Sequence, residues 1–361
     1  MRLIKALRLV SLLIVTAFAF VRAEDSDPIT SVSSAAELFA AIVAANSSGF
    51  AIIELAPGDY RLTQPLRIEG DFITLRSANG DREATVLRGN GMKPGNSVDN
   101  LIEVSGSHVA IQALTLRDAG NHLVQLRGEK NADYFSLINC ALIDAYEQLL
   151  KVSAERGSTT ADFGLIKDSF FGYTKDQGPN YYIGGIDVHG GKNWIVEKST
   201  FRNIASPSRS VAEFAIHFWS GSDNPIVRNN RIIDSDRGIG FGLGEDPSHG
   251  NTGGEISGNL IVHNRKGDPF SDVGISLENS PGTRVTDNFV QLEHAYPNAI
   301  EYRFPGTVNV LISGNSVNRA IASRDAAEAT VEANHTASKV SMAWDFLAYV
   351  FHRVAALVSS D

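Results

Sequence analysis

The sequence predicts an all-β solenoid, in which short parallel strands stack coil upon coil into one long domain. The first sign is an apolar residue that recurs at a mean spacing of about 28 residues, a period typical of solenoids. These residues are Ile102, Val124, Leu150, Ile186, Ile216, Ile239, Ile275 and Ile300. A second column in register contains Cys140, Ser169, Ser199, Asn230, Asn259, Asn288 and Asn315. Two such columns are hard to obtain by chance, and a β-propeller would need four strands per repeat and a longer period.

The second column predicts a tight bend in each coil. Each asparagine precedes an apolar residue by two positions, as Asn230 precedes Ile232 and Asn259 precedes Ile261. Asparagine tolerates the left-handed backbone of such a bend, and stacked amides can satisfy one another along a solenoid. We therefore predict a structural role for this column, including Cys140. As the only cysteine, Cys140 cannot form an internal disulfide.

The first 23 residues are typical of a cleaved export signal, with three basic residues, an apolar run from Leu9 to Phe20, and a small-residue cleavage site. An uncleaved membrane anchor is the alternative, but the run is shorter than the roughly 20 apolar residues that a span needs. Cleavage removes four basic residues and no acidic ones, so the net charge of −9 becomes −13. Bulk attraction to nucleic acid is therefore not expected. We predict a protein exported to the periplasm or the cell exterior.

Residues 24–322 are predicted to form the solenoid and residues 323–361 a C-terminal helical tail. The solenoid opens with a capping box at Ser34-Ala35-Ala36-Glu37, which predicts a short amphipathic helix before the first strand at 51–55. In the tail, apolar residues recur at helical spacing from Val340 to Leu357. We expect this helix to cover the open end of the solenoid; a dimer contact and a membrane-surface helix are the alternatives. No transmembrane span is expected in the mature chain, which we expect to be a monomer.

Uneven coil lengths locate insertions at 154–161, 172–183, 205–213, 245–254 and 265–271. Because they leave near the same strand column, these loops are predicted to wall a groove above it. The 172–183 loop carries Tyr181 and Tyr182. Tyrosines beside a polar strand face suit stacking on sugar rings, although such residues also serve to hold a loop in place.

The outward residues of the strands contain the candidate site. Lys151, Asp187 and His217 occupy one outward column on successive coils, which lie about 4.8 Å apart. The next outward column contains Arg127, His189 and Trp219, and Gly240 and Gly242 are predicted to leave a trough for a ligand. The alternative is a solvated charged surface, but two histidines and a tryptophan beside glycines favour a site. His108, His249 and His263 are interpreted as surface or loop residues.

This cluster suits removal of the C5 proton from a uronate sugar, which needs a cation beside the carboxylate, a base and often an acid. Lys151, Arg127 or His189 is predicted to neutralise the carboxylate, and His217 or Lys151 to take the proton. The predicted substrate-binding residues are Arg127, Tyr181, Tyr182, Trp219, Glu278, Glu301 and Arg303. Hydrolysis by Asp187 with Glu278 or Glu301 is a second hypothesis, and glycan binding without catalysis is a third.

Residues 30–322 resemble the right-handed, single-stranded parallel β-helix of the pectate-lyase-like superfamily. The resemblance is carried by the helical amino-terminal cap, the Ala56-Pro57-Gly58-Asp59-Tyr60 entry and the asparagine bends. It implies an acidic polysaccharide as partner and a carbohydrate-active function. Calcium is common in this superfamily, but no compact carboxylate cluster is evident, so we expect no cofactor, with Ca²⁺ as the alternative.

Asp187-Val188-His189 is similar to the Asp-Pro-His signature of mannuronan C5-epimerases. Asp187 and His189 match, whereas Gly184 stands at the family's tyrosine and His217 at its second acidic residue. Lyases of this fold that act on alginate and chondroitin use a basic pair, for which Lys151 and Arg127 are candidates. The sequence thus favours a polysaccharide lyase over an epimerase.

Overall fold

The structure is a computed structural model that describes residues 29–155 and 157–336. The predicted export signal (1–23) and most of the predicted C-terminal tail, including the helical pattern from 340 to 357, lie outside these residues. In the described ranges no helix is long and apolar enough to cross a membrane.

Three long parallel sheets form most of the described part of the chain, and successive strands belong to them in turn. The ten-stranded sheet, which we call the site sheet, contains Leu66–Ile68, Ile102–Val104, Val124–Arg127, Gln148–Ser153, Gly184–His189, Ile216–Trp219, Ile239–Phe241, Ile275–Glu278, Asn298–Arg303 and Ala320–Arg324. The twelve-stranded sheet contains Ile29–Val32, Ala51–Leu55, Ile73–Ser77, Ala110–Gln112, Ser136–Ile138, Leu165–Lys167, Ile195–Glu197, Ile226–Arg228, Glu255–Ser257, Arg284–Thr286, Val310–Ser313 and Ala329–Glu332. The eleven-stranded sheet contains Gly58–Arg61, Thr85–Arg88, Thr115–Ala119, Ala141–Ala145, Phe170–Gly172, Thr200–Arg202, Arg231–Ile233, Leu260–His263, Phe289–Leu292, Ser316–Val317 and His335–Thr336. The predicted right-handed parallel β-helix is confirmed.

The few remaining elements are short. A separate pair of strands joins Ser222–Asp223 to Asn251–Thr252, and two 3₁₀ turns cover Gly128–Lys130 and Pro247–His249. The predicted amino-terminal helix is confirmed at Ala35–Ser48, where the Ser34 side chain accepts a hydrogen bond from the Glu37 backbone N–H. This helix packs its apolar side chains against the first coils, so it covers the amino-terminal part of the core.

The core is a continuous stack of aliphatic residues inside the three sheets. The predicted apolar column is in register on the site sheet, where Leu150 pairs with Ile186, Ile186 with Ile216, and Ile275 with Ile300. All of these side chains are fully buried. The register therefore places the alternate residues of each strand on the outer face.

The asparagine column forms a buried ladder, as predicted. Asn230, Asn259, Asn288 and Asn315 each donate from Nδ2 to the Oδ1 of the asparagine one coil later, at 2.9–3.1 Å. The last acceptor is Asn334, which the sequence analysis did not include. Cys140 lies at the other end of this column, and burial raises the pKa of its thiol to about 12, so it stays a neutral core residue.

The solenoid continues beyond residue 322, where the sequence analysis ended it. Ala329–Glu332 pairs with Val310–Ser313, and His335–Thr336 pairs with Ser316–Val317. Most side chains of these two strands are exposed. Because terminal strands with few buried residues carry no apolar alternation, the pattern that revealed the earlier coils is missing here.

Candidate functional site

The site sheet brings the predicted central residues together. Lys151 pairs with Asp187 in the strand register, and Asp187 pairs with His217. His189 and Trp219 are likewise neighbours two residues further along the two strands, on the same outer face. The structure therefore confirms the predicted register, in which the members of each outward column are neighbours on adjacent strands.

Asp187 is the buried centre of the cluster, with its side chain 3% exposed. The Lys151 ammonium contacts Oδ2, and the Trp219 indole N–H donates to Oδ1 at 2.7 Å. Burial raises the pKa of this carboxyl, but the charge of Lys151, together with the neighbouring His189 and His217, outweighs it. The pKa of Asp187 therefore lies well below its usual range, and the group is a permanent anion at neutral pH.

Lys151 and His189 form the rim of the cluster. Nζ of Lys151 lies 2.8 Å from Nε2 of His189, and their side chains are 12% and 20% exposed. The His189 ring also packs edge to face on Trp219, with the centroids 4.2 Å apart. These two groups are reachable from solvent, whereas the carboxylate below them is not.

His217 does not lie at the surface, which corrects its predicted role as a base in contact with substrate. Its side chain is 0% exposed, and Nε2 lies 3.0 Å from the carbonyl oxygen of Gly242. Nδ1 has no hydrogen-bond partner, although Asp187 Oδ1 lies 3.7 Å away and Glu213 Oε2 3.6 Å away. His217 therefore lies beside the Asp187 carboxylate in the interior, and a polymer bound at the surface cannot contact it in this structure.

The predicted glycine trough is filled, because Phe214 lies over it. A Cβ atom added to Gly240 would come within 2.5 Å of the Phe214 ring. Phe214 is buried, its ring centroid is 4.8 Å from that of His217, and the Arg237 guanidinium lies over its ring, 3.9 Å from the centroid. The space that we expected to hold a ligand holds this side chain.

Glu213 is a member of the cluster that the sequence analysis missed. Burial raises its pKa, but the neighbouring His217, whose Nδ1 lies 3.6 Å from Oε2, and the charge of Arg237 lower it further than burial raises it. Glu213 is the last residue of the 205–213 insertion, and Phe214 follows it directly. The insertion itself was the available signal, but it has no counterpart in neighbouring coils that would indicate which way its side chains point.

The 172–183 loop carries one tyrosine that holds the loop in place and two tyrosines that are exposed. Tyr173 is buried and donates its hydroxyl to the carbonyl of Glu147 at 2.9 Å, so it holds the loop in place. Tyr181 and Tyr182 are exposed, the latter by 42%. Burial raises the pKa of Tyr182 above its usual value, and the charge of Lys151 partly opposes that rise.

Arg127 lies in a cleft of about 340 Å³ further along the site sheet. The cleft is lined by Arg67, Glu69, Glu103, Val104, Ser105, Arg127, Glu129 and Lys130. The Arg127 guanidinium is 3.8 Å from both Glu103 and Glu129 and remains partly exposed. Its strand partner is Ser153, not Lys151, so Lys151 and Arg127 lie on adjacent strands but are offset by two residues along them.

The acidic residues at the far end are buried and paired, which corrects their predicted role in binding substrate. Glu301 accepts hydrogen bonds from the Tyr296 hydroxyl and the Asn298 amide at 2.6 Å and pairs with Arg324 at 3.0 Å. Glu278 is buried and lies 3.4 Å from Arg303. Arg303 also pairs with Asp325 at 2.9 Å. Neither carboxylate is free to act in hydrolysis.

Comparison with known proteins supports the fold. A family model described as "Right handed beta helix region" matches residues 180–334. An alginate lyase from Paenibacillus sp. str. FPU-7 is 15% identical with a TM-score of 0.56, over 85% of this chain and 99% of that one. A mannuronic acid specific polysaccharide family 6 lyase from human gut microbiota is 15% identical with a TM-score of 0.55, over 85% and 79%. The surface adhesin PfbA of Streptococcus pneumoniae is 11% identical with a TM-score of 0.53, over 83% and 86%. The search of curated proteins gave no match.

Proposed function

We propose that this chain, which has the right-handed parallel β-helix fold of the pectate-lyase-like superfamily, is an exported lyase of uronate-containing polysaccharides. The observation that carries the proposal is the position of the Lys151 ammonium. It contacts the buried Asp187 carboxylate on one side and lies 2.8 Å from His189 Nε2 on the other, at the accessible rim of the site sheet. A fixed cation beside an imidazole is the pair that abstraction of an acidic C–H proton requires.

Lys151 neutralises the carboxylate of the substrate. Asp187 keeps the lysine charged and holds it in place, so the ammonium is oriented before the substrate arrives. As the C5 proton leaves, negative charge moves onto the carboxylate oxygens, and the ammonium stabilises that charge more strongly than it stabilises the ground state.

His189 takes the C5 proton. In the free protein its Nε2 faces the Lys151 ammonium. When the substrate carboxylate accepts the Lys151 hydrogen bond instead, the Nε2 lone pair is released to act as the base. The electron pair left at C5 then forms the C4–C5 double bond and the C4–O bond breaks, with the Tyr182 hydroxyl donating a proton to the leaving oxygen.

The same cluster also suits an epimerase, in which C5 is reprotonated from the opposite face and no bond is cleaved. Elimination is favoured because Tyr182 offers an acid on the exposed part of the 172–183 insertion, and Lys151 is among the charges that act on its hydroxyl. Hydrolysis is disfavoured because Glu278 and Glu301 are buried in ion pairs. Similarity in fold to an alginate lyase and a mannuronic acid specific lyase agrees with this choice of reaction.

The test is ultraviolet absorbance during incubation of the mature protein with alginate, pectate and chondroitin. A lyase produces an unsaturated uronate that absorbs, and we expect the signal to disappear in His189→Gln. His108→Gln is the matched control, because His108 lies outside the site and its Nδ1 is hydrogen-bonded to the Ser107 hydroxyl. If no polymer gives absorbance and C5 does not exchange with deuterated solvent, both the lyase and the epimerase are excluded.

Glycan binding without catalysis is a second candidate function. It is favoured by the burial of Asp187 and His217, which leaves few reactive groups at the surface, and by the likeness in fold to an adhesin. Saturable binding of a polysaccharide, with neither absorbance nor C5 exchange, would support this function instead.

A further inference from the structure

A second cluster of ionisable residues lies on other strands than the Asp187 column. His263 ends the strand Leu260–His263 of the eleven-stranded sheet, Asp236 follows the strand Arg231–Ile233 of the same sheet, and Asp268 lies on the 265–271 insertion. His263 and Asp236 are almost fully buried. The interpretation of His263 as a surface or loop residue is therefore wrong.

Four polar atoms of this cluster lack hydrogen-bond partners. Both ring nitrogens of His263, Oδ1 of Asp236 and Oδ2 of Asp268 are buried and unpartnered. Asp268 Oδ2 does lie 2.8 Å from His263 Nε2, but not in the alignment of a hydrogen bond. Buried polar groups are nearly always paired, so several unpaired atoms facing one another indicate a missing ligand.

We propose that Asp236, His263 and Asp268 bind a divalent transition-metal ion, with Zn²⁺ as the ion that fits best. One ligand atom from each residue lies within 4.8 Å of the other two. A metal with bonds of about 2.0–2.2 Å to imidazole and carboxylate can sit between them after small side-chain adjustments. A mixed nitrogen and oxygen donor set favours Zn²⁺ or Mn²⁺ over Ca²⁺, which prefers six or more oxygens.

The surroundings support this arrangement. The Ser206 backbone N–H donates to Asp236 Oδ2 at 2.6 Å, which orients the carboxylate and leaves Oδ1 free. Arg265 has its Nε 3.5 Å from Asp268, whereas Asp236 makes no ion pair in the described part of the chain. The His294 ring packs edge to face on His263 and shields it from water.

Metal binding would also fix two loops. Asp268 belongs to the 265–271 insertion, and the neighbouring Arg265 donates to the Asp176 carbonyl on the 172–183 loop. A metal that ties Asp268 to Asp236 and His263 therefore holds the insertion against the solenoid. Through Arg265, it also restrains the loop that carries Tyr181 and Tyr182.

The test uses the full mature protein, stripped of metal by a chelator and titrated calorimetrically with Zn²⁺, Mn²⁺ and Ca²⁺. We expect one equivalent of Zn²⁺ to bind, a rise in melting temperature, and slower trypsin cleavage after the exposed Lys266. Asp268→Asn should weaken Zn²⁺ binding at least about tenfold. The matched control, Asp223→Asn on the strand Ser222–Asp223, should bind as the unaltered protein does.

Asp268 lies on a loop and is partly exposed, so Asp268→Asn should fold. Asp236→Asn is the second variant. Circular dichroism checks that both variants are folded. Loss of binding in the two folded variants supports the site. Absence of stoichiometric Zn²⁺ binding, unchanged binding in both variants, or equal affinity for Ca²⁺ would overturn the proposal.

Discussion

The Lys151 ammonium joins a buried anion to an accessible imidazole: Nζ contacts the Asp187 carboxylate and lies 2.8 Å from His189 Nε2. Only the lysine and the histidine reach solvent. The stability of the coil and the chemistry of its surface thus depend on the same side chain.

Lys151→Met should lower the free energy of unfolding by about 3–5 kcal/mol, because it leaves the buried Asp187 without its nearest cation. The double variant Lys151→Met/Asp187→Asn should recover most of the loss, since the buried charge is then removed as well. Urea unfolding of the unaltered protein, Lys151→Met, Asp187→Asn and the double variant measures both effects. A double variant less stable than Lys151→Met alone would contradict this account.

Acid should destabilise the protein partly through Asp187. Its pKa in the folded state is depressed below the ordinary 3.8, so its contribution is fully present above that value and is lost as pH falls toward the folded-state pKa. Between about pH 4 and pH 2, the melting temperature of Asp187→Asn should therefore fall less steeply than that of the unaltered protein. Equal slopes would show that Asp187 is not the group responsible. Asp223→Asn serves as the control for loss of one carboxylate.

Asn259→Ala should lower the free energy of unfolding by about 3 kcal/mol, because it leaves buried backbone and amide groups unpaired on both sides. Asn259 donates to the Val227 carbonyl and to Asn288, and it accepts from the Asn230 backbone N–H. Asn334→Ala should cost less, since Asn334 ends the ladder and is partly exposed. Denaturant unfolding compares the two, and equal losses would argue against burial as the cause.

The repeat predicted which residues are neighbours on the sheet, but not which of them other side chains bury. Asp187 and His217 could be placed side by side because the apolar column fixes the register of every coil. Phe214 and Glu213 could not be placed, because an insertion has no repeat to set its register. His217 was therefore expected at the surface, and His263, seen as a lone histidine, could not be linked to Asp236 and Asp268.

His217 should resist acylation by diethylpyrocarbonate in the native protein, whereas His189 should react. Phe214 and Gly240 close the space beside His217, so no reagent reaches its ring. Peptide mapping by mass spectrometry would separate the two sites. Phe214→Ala should make His217 reactive, and equal reactivity in the unaltered protein would refute the burial described here.

Tyr182→Phe should reduce kcat by about 100-fold with little change in KM, because it removes the hydroxyl that protonates the leaving oxygen but keeps the ring. Tyr181→Phe is the matched control, since Tyr181 is its equally exposed neighbour on the same loop. Stacking on a sugar ring needs only the aromatic face, so a role limited to stacking predicts no change in either variant. A substrate with a better leaving group at C4 should restore much of the lost rate in Tyr182→Phe, because a weaker base needs less help from an acid. If the rate stays low with such a substrate, Tyr182 positions the sugar and does not donate the proton.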